Sequence, residues 1–117
     1  QIWEAAMAAN YHNATNLRVI VDRNRIQNDD FMDVQMEIGD IGEKFRSFGW
    51  KVKEVDGHDM ASLVDVVDWA NREDGGPVAI VANTIKGNGV SFMENNPSFH
   101  GKAPDDEELR IALGELA

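Results

Sequence analysis

No cysteine occurs in the 117 residues, so neither a disulfide framework nor a thiolate metal site is possible, and a reducing compartment, the cytoplasm, is the expected setting. Basic residues are scarce: eleven against twenty-one acidic ones leave a formal charge of −10, which opposes binding to nucleic acid or to an anionic membrane surface. Long apolar runs are absent too. No stretch approaches the roughly 18 to 20 residues of a membrane-spanning helix, and no charged-then-apolar leader precedes the first helical pattern. Only three prolines interrupt the chain, and a hydrophobic content of 43% suffices for one unstapled core. An acidic protein can still bind a phosphorylated ligand where main-chain amides, a metal or a few basic side chains make the site itself positive.

Alternating helical and strand patterns organise what is present. Residues 1–11 read as a helix with Ile2, Ala5, Ala6 and Ala9 on one face. The chain opens inside that pattern without methionine or cap, and is expected to start part-way through a larger fold. Residues 17–21 form a branched, apolar run expected to be a strand covered on both faces. Residues 24–37 are polar and acidic and read as a long ordered loop. Asp40 is placed to cap a helix that stops at Gly49, and residues 50–55 read as a strand. Asp59 is placed to cap a helix carrying Met60, Leu63, Val64, Val67 and Ala70, which Gly75-Gly-Pro77 ends. Residues 78–82 are a third strand, 84–101 a glycine- and asparagine-rich loop, and 104–116 a last helix. This order predicts an α/β fold of three α/β/α layers around a doubly wound, mostly parallel sheet, whose ligands bind beyond the carboxyl ends of the strands.

Three segments follow those strand ends. In Val19-Ile-Val-Asp-Arg-Asn-Arg-Ile26, the Asn24 side chain and the Ile26 carbonyl are placed to offer hard oxygen ligands to a magnesium ion holding a diphosphate; an ordinary Asx turn explains the same residues without a ligand. In Thr84-Ile-Lys-Gly-Asn-Gly-Val-Ser91, two glycines permit close backbone approach and Lys86 supplies a point charge for phosphate, against the alternative of a solvated surface loop. No Gly-Lys-Ser/Thr step is present, so this is not a P-loop. His100, between Phe99 and Gly101, has the chemistry for proton transfer near neutral pH, with the aromatic and the glycine as candidate pocket walls. His58 between Asp56 and Asp59 invites a metal reading, but capping and turn chemistry account for those residues. His12 needs no role beyond a favourable position at a helix end. Glu4 reads as an exposed carboxylate on the opening helix, and the run Asp105-Asp-Glu-Glu108 as a helix start.

Taken together, Gln1-Ile-Trp-Glu-Ala-Ala, Val21-Asp-Arg-Asn-Arg-Ile, Phe48-Gly-Trp, Val55-Asp-Gly-His-Asp, Thr84-Ile-Lys-Gly-Asn-Gly-Val and Phe99-His-Gly-Lys-Ala-Pro resemble transketolase over nearly the whole chain. Ser91-Phe-Met-Glu-Asn-Asn96 resembles the split form, whose amino-terminal half is a separate polypeptide. The resemblance implies a thiamine diphosphate-binding domain over residues 1–117 that lacks its N-terminal portion, with Asn24 and Ile26 as magnesium ligands and Lys86 and His100 beside the cofactor. It implies that His100 assists proton transfer and that Glu4 belongs to a relay at the dimer interface. The family's Gly-Asp-Gly, which contributes a further magnesium ligand, does not occur in the 117 residues, and Asn83 stands where relatives commonly carry lysine. The implied chemistry is transfer of a two-carbon ketol unit between sugar phosphates, within pentose phosphate metabolism. A complementary C-terminal subunit or domain and a homo-oligomer are the implied partners. The glutamate that activates the cofactor lies in that other domain, so the isolated chain is expected to be inactive. Other thiamine diphosphate enzymes (a synthase or dehydrogenase subunit) and a non-catalytic, self-associating remnant are the rival readings.

Overall fold

The computed structural model describes residues 1–28 and 30–117. The chain divides into two compact units, each drawn from two separate stretches: Gln1–Arg23 with Gly39–Asn83, and Asn24–Ile38 with Thr84–Ala117.

The first unit is the parallel α/β body. It contains α1 (Ile2–Tyr11) and β1 (Arg18–Arg23), and, after the first excursion into the other unit, α3 (Ile41–Ser47), β4 (Lys51–Asp56), α4 (Met60–Arg72) and β5 (Val78–Asn83). The strands pair in the order β1-β5-β4, all parallel. The central strand β5 is the most buried element, with Val78, Ala79, Ile80 and Val81 almost free of solvent, as an unbroken branched run between two partners requires. On one side of the sheet Val66 and Ala70 of α4 pack with Val78 and Ile80, joined by Val55 and Trp69. A second apolar group unites α1, β1 and α3: a cavity of about 250 Å³ is lined by Ile2, Ala5, Ala6, Leu17, Val19, Phe45 and Trp50. The buried Trp50 ring meets Phe45 edge-on at 5.1 Å, and its indole N–H donates to the Ala6 carbonyl at 2.9 Å. An apolar ring is thereby buried without an orphaned donor.

Local chemistry sets the helix limits. The Asp40 side chain accepts from the Glu43 N–H at the start of α3, and Gly49, at φ +86°, follows its end. Asp59 accepts from the Ala61 and Ser62 N–H groups at the start of α4. Arg18, the polar break in the β1 run, donates to the carbonyls of Thr15, Leu17 and Glu73, the last being the C-cap of α4.

One expectation is corrected here. Among the described residues β1 is not covered on both faces, because Ile20 is 60% exposed, and the strand pairs only with β5. Branched residues suit an edge strand as well as a central one, so composition alone did not separate Val19-Ile-Val from Val78 to Ala82.

The second unit contains β2 (Ile26–Gln27) and β3 (Asp30–Phe31), a short antiparallel pair, then α2 (Met32–Gln35), a single turn of 3₁₀-helix at Pro97–Phe99, and α5 (Asp106–Glu115). The expected loop over residues 24–37 thus holds a hairpin and a helical turn, elements too short for any periodicity to announce. The last helix begins at Asp106 rather than Pro104, under a capping box: Asp105 accepts from the Glu108 N–H while the Glu108 carboxylate accepts from the Asp105 N–H.

Candidate functional site

Parallel pairing brings the three strand ends level, with Arg23 and Asp56 both opposite Asn83. The Arg23 guanidinium donates to the Asn83 side-chain oxygen at 3.3 Å, and the Gly57 N–H donates to the Asn83 carbonyl at 2.8 Å. Asn83 is therefore a bridging residue at the strand ends, engaged through both side chain and main chain. Asn24 and Thr84, where the chain enters the second unit, follow directly from two of these ends.

In the second unit, Asn24 is half-buried and its Oδ1 accepts from the Ile26 N–H at 3.0 Å. This is an Asx turn, and it fixes the amide oxygen while leaving it a second lone pair. Between the two, Arg25 adopts φ +61°, a conformation that L side chains rarely take, and its carbonyl accepts from the Met32 N–H. Ile26, half-buried, pairs with Phe31. The turn that presents Asn24 and Ile26 is thus held by a hairpin and carries strain at its centre, a combination found where a site constrains the backbone.

The loop at 84–101 is a series of linked turns. The Lys86 carbonyl accepts from the Asn95 N–H at 3.0 Å, and Val90, which is buried, accepts from both Met93 and Glu94. Gly87 sits at φ +75°, where an added Cβ would lie 2.6 Å from the Met93 carbonyl oxygen. Only glycine fits there. Lys86 itself is half-buried. Asn96 caps the 3₁₀ turn through the Ser98 N–H and donates to the Phe92 carbonyl, and the His100 N–H ends that turn on the Pro97 carbonyl. The imidazole is exposed. Phe99 packs against Phe92 and beneath the Lys102 ammonium.

Asn24, Ile26, Lys86 and His100, drawn from two distant stretches of sequence, all fall in this second unit. Glu4 lies in the first, exposed on α1. Its own backbone N–H holds its carboxyl below the ordinary range. The set around His58 is turn chemistry: Asp56 accepts from the His58 N–H and Asp59 caps α4. Among the described residues no three His, Asp or Glu side chains gather as a metal cluster. Asn24 Oδ1 and the Ile26 carbonyl fit magnesium's preference for oxygen, but they would be two ligands of about six, so the remainder would come from water, diphosphate or other protein groups. His12 is the C-cap of α1, its ring edge-on to Tyr11. Sequence reasoning missed the strained Arg25 and the attachment of Ser91 to Glu115 of α5. The two ends of that attachment are too far apart in sequence for any local pattern to reveal it.

Residues 2–116 match the family model described as the transketolase thiamine diphosphate-binding domain. The chain is 37% identical over 114 residues to an apulose-4-phosphate transketolase subunit from Actinobacillus succinogenes, covering 97% of this chain and 41% of the relative. It is likewise 37% identical over 116 residues to a 6-deoxy-6-sulfo-D-fructose transketolase subunit from a Clostridium species, covering 99% and 42%. The chain spans about two fifths of the length of these relatives. Its fold is that of a portion of Campylobacter jejuni transketolase, with a TM-score of 0.87 at 24% identity over 97% of this chain and 18% of that one. With the model matched almost from end to end and the parallel α/β architecture in agreement, the chain belongs to the transketolase family, within its thiamine diphosphate-binding domain.

Proposed function

We propose that this chain is the diphosphate- and magnesium-binding part of a transketolase-type enzyme that moves a two-carbon ketol unit between sugar phosphates. The observation that carries the reading is the gathering of Asn24, Ile26, Lys86 and His100 in one compact unit of a chain belonging to this family. Asn24 Oδ1 and the Ile26 carbonyl hold the metal, and the Lys86 ammonium offsets diphosphate charge. His100, exposed at the end of its loop, holds and moves a proton at the reacting carbonyl. Thiamine diphosphate, when bound, supplies an electron sink for the cleavage of a carbon–carbon bond. Residues 1–117 act as one diphosphate-binding domain that works with a complementary C-terminal subunit or domain, and Glu4 serves at an interface between paired chains in a homo-oligomer. The cytoplasm is the proposed compartment.

The test is the melting temperature with and without thiamine diphosphate plus magnesium. Ligand at about a hundred times its dissociation constant adds about 2.7 kcal/mol. A rise that requires both components and is lost in Asn24→Ala supports the reading; an unchanged melting temperature at millimolar cofactor overturns binding by this chain. The isolated chain is expected to show no ketol transfer, and turnover by the purified polypeptide would refute its dependence on a partner.

A further inference from the structure

We infer that Glu115, on the last turn of α5, is a positioning residue that braces the loop carrying Lys86 and His100. The inference deepens the reading above and rests on it for the loop's importance. Ser91 is held twice by the Glu115 carboxylate: its N–H donates to Oε2 at 2.7 Å and its hydroxyl to Oε1 at 2.6 Å. Two short donors on one carboxylate define direction as well as distance. Consistent with this, the Glu115 carboxyl is held below its ordinary range, first by the Ser91 hydroxyl and then by the Ser91 N–H.

The grip continues into the loop and to its far end. Gly89 approaches α5 so closely that an added Cβ would lie 3.0 Å from Leu116 Cδ2, and its N–H donates to the Glu94 carboxylate at 2.9 Å. Because the Asn95 N–H is bonded to the Lys86 carbonyl, fixing Ser91 fixes a closed segment with Lys86 at its base. At the loop's end Lys102 binds Glu108 at 3.0 Å while its ammonium lies 4.4 Å from the centre of the Phe99 ring. Glu108 and Glu115 are seven residues apart on one helix, which places them on the same face about two turns, roughly 10 Å, apart. The stretch from Ser91 to Lys102, which contains His100, is thus suspended between two carboxylates of a single rigid helix.

Amide hydrogen exchange and the His100 ring resonances of this chain, measured by NMR for the wild type, Glu115→Ala and Ser91→Ala, test the brace. Glu115→Ala should speed exchange at Asn95 and His100 by about tenfold, the scale of one charge-assisted hydrogen bond, and move the imidazole resonances, with β5 amides unchanged. Ser91→Ala removes one of the two donors without touching α5 and should give a smaller change of the same sense. An altered Ser91 signal with unchanged Asn95 and His100 would mean that the pair merely fastens the helix, and would overturn the inference. Cofactor titration of the wild type is separate: its failure removes the proposed function and leaves the result on the brace as measured.

Discussion

Trp50 shows how much a single side chain carries. Its ring fills space beside Phe45 and next to the cavity under α1, and its N–H is matched to the Ala6 carbonyl. Trp50→Phe keeps most of the apolar volume and loses the hydrogen bond, so urea denaturation should show a loss of about 1 kcal/mol, whereas Trp50→Ala enlarges the existing cavity and should cost about 3–5 kcal/mol. A larger loss for the phenylalanine variant than for alanine would contradict this packing. Gly87 is constrained differently, by backbone. Gly87→Ala forces both a left-handed alanine and a collision with the Met93 carbonyl, and it should raise amide exchange across residues 86–95 while leaving β5 protected. The glycine was conspicuous in the sequence, but its partner was not, because nothing in Gly-Asn-Gly states that the chain returns to it at Met93.

Among the elements, helices were the most legible. Asp40 and Asp59 both cap the helices expected of them, because a capping side chain acts on N–H groups two or three residues away and so leaves a purely local signature. Asp40→Ala should cost about 1 kcal/mol and Asp40→Asn far less, readable as a shift in the thermal transition. Strands were legible as strands but not in their placement. Whether Val19-Ile-Val or Val78 to Ala82 lies at the centre of the sheet depends on pairing across about sixty residues, and the outcome among the described residues, β5 between β1 and β4, has no local cause. The β2–β3 hairpin escaped notice for the opposite reason: two residues per strand are too few to show alternation. Of the candidate site, residue types and strand-end positions could be read from the chain, whereas the strain at Arg25 and the hold of α5 on Ser91 could not.

At the scale of the whole molecule the acidic charge becomes a matter of pH. Asp59, Glu73, Glu107 and Glu115 all have carboxyls held below the ordinary range, chiefly by side-chain hydrogen bonds from Ser62, Lys51, Arg110 and Ser91 respectively. A carboxyl with a depressed folded pKa binds its proton more readily when unfolded. The stability it contributes is therefore complete above the unfolded value and is lost as pH falls through the folded one. The chain should accordingly weaken below about pH 4, where ordinary carboxylates titrate. Asp59→Asn, which keeps a capping oxygen but cannot ionise, should make that acid decline shallower; an unchanged slope would show that the cap does not contribute through its charge.

The two compact units interleave along the sequence, since residues 24–38 and 84–117 enclose the stretch 39–83 that belongs to the other. As a piece of genetic material, the second unit is therefore not portable: no single continuous segment encodes it without also encoding α3, β4, α4 and β5. A chimera that swaps residues 84–117 alone would mate one relative's loop and α5 with another's Asn24 turn, while one that swaps 24–117 would replace most of the sheet. Exchange of the second unit between relatives by simple crossover must accept one of those two mismatches.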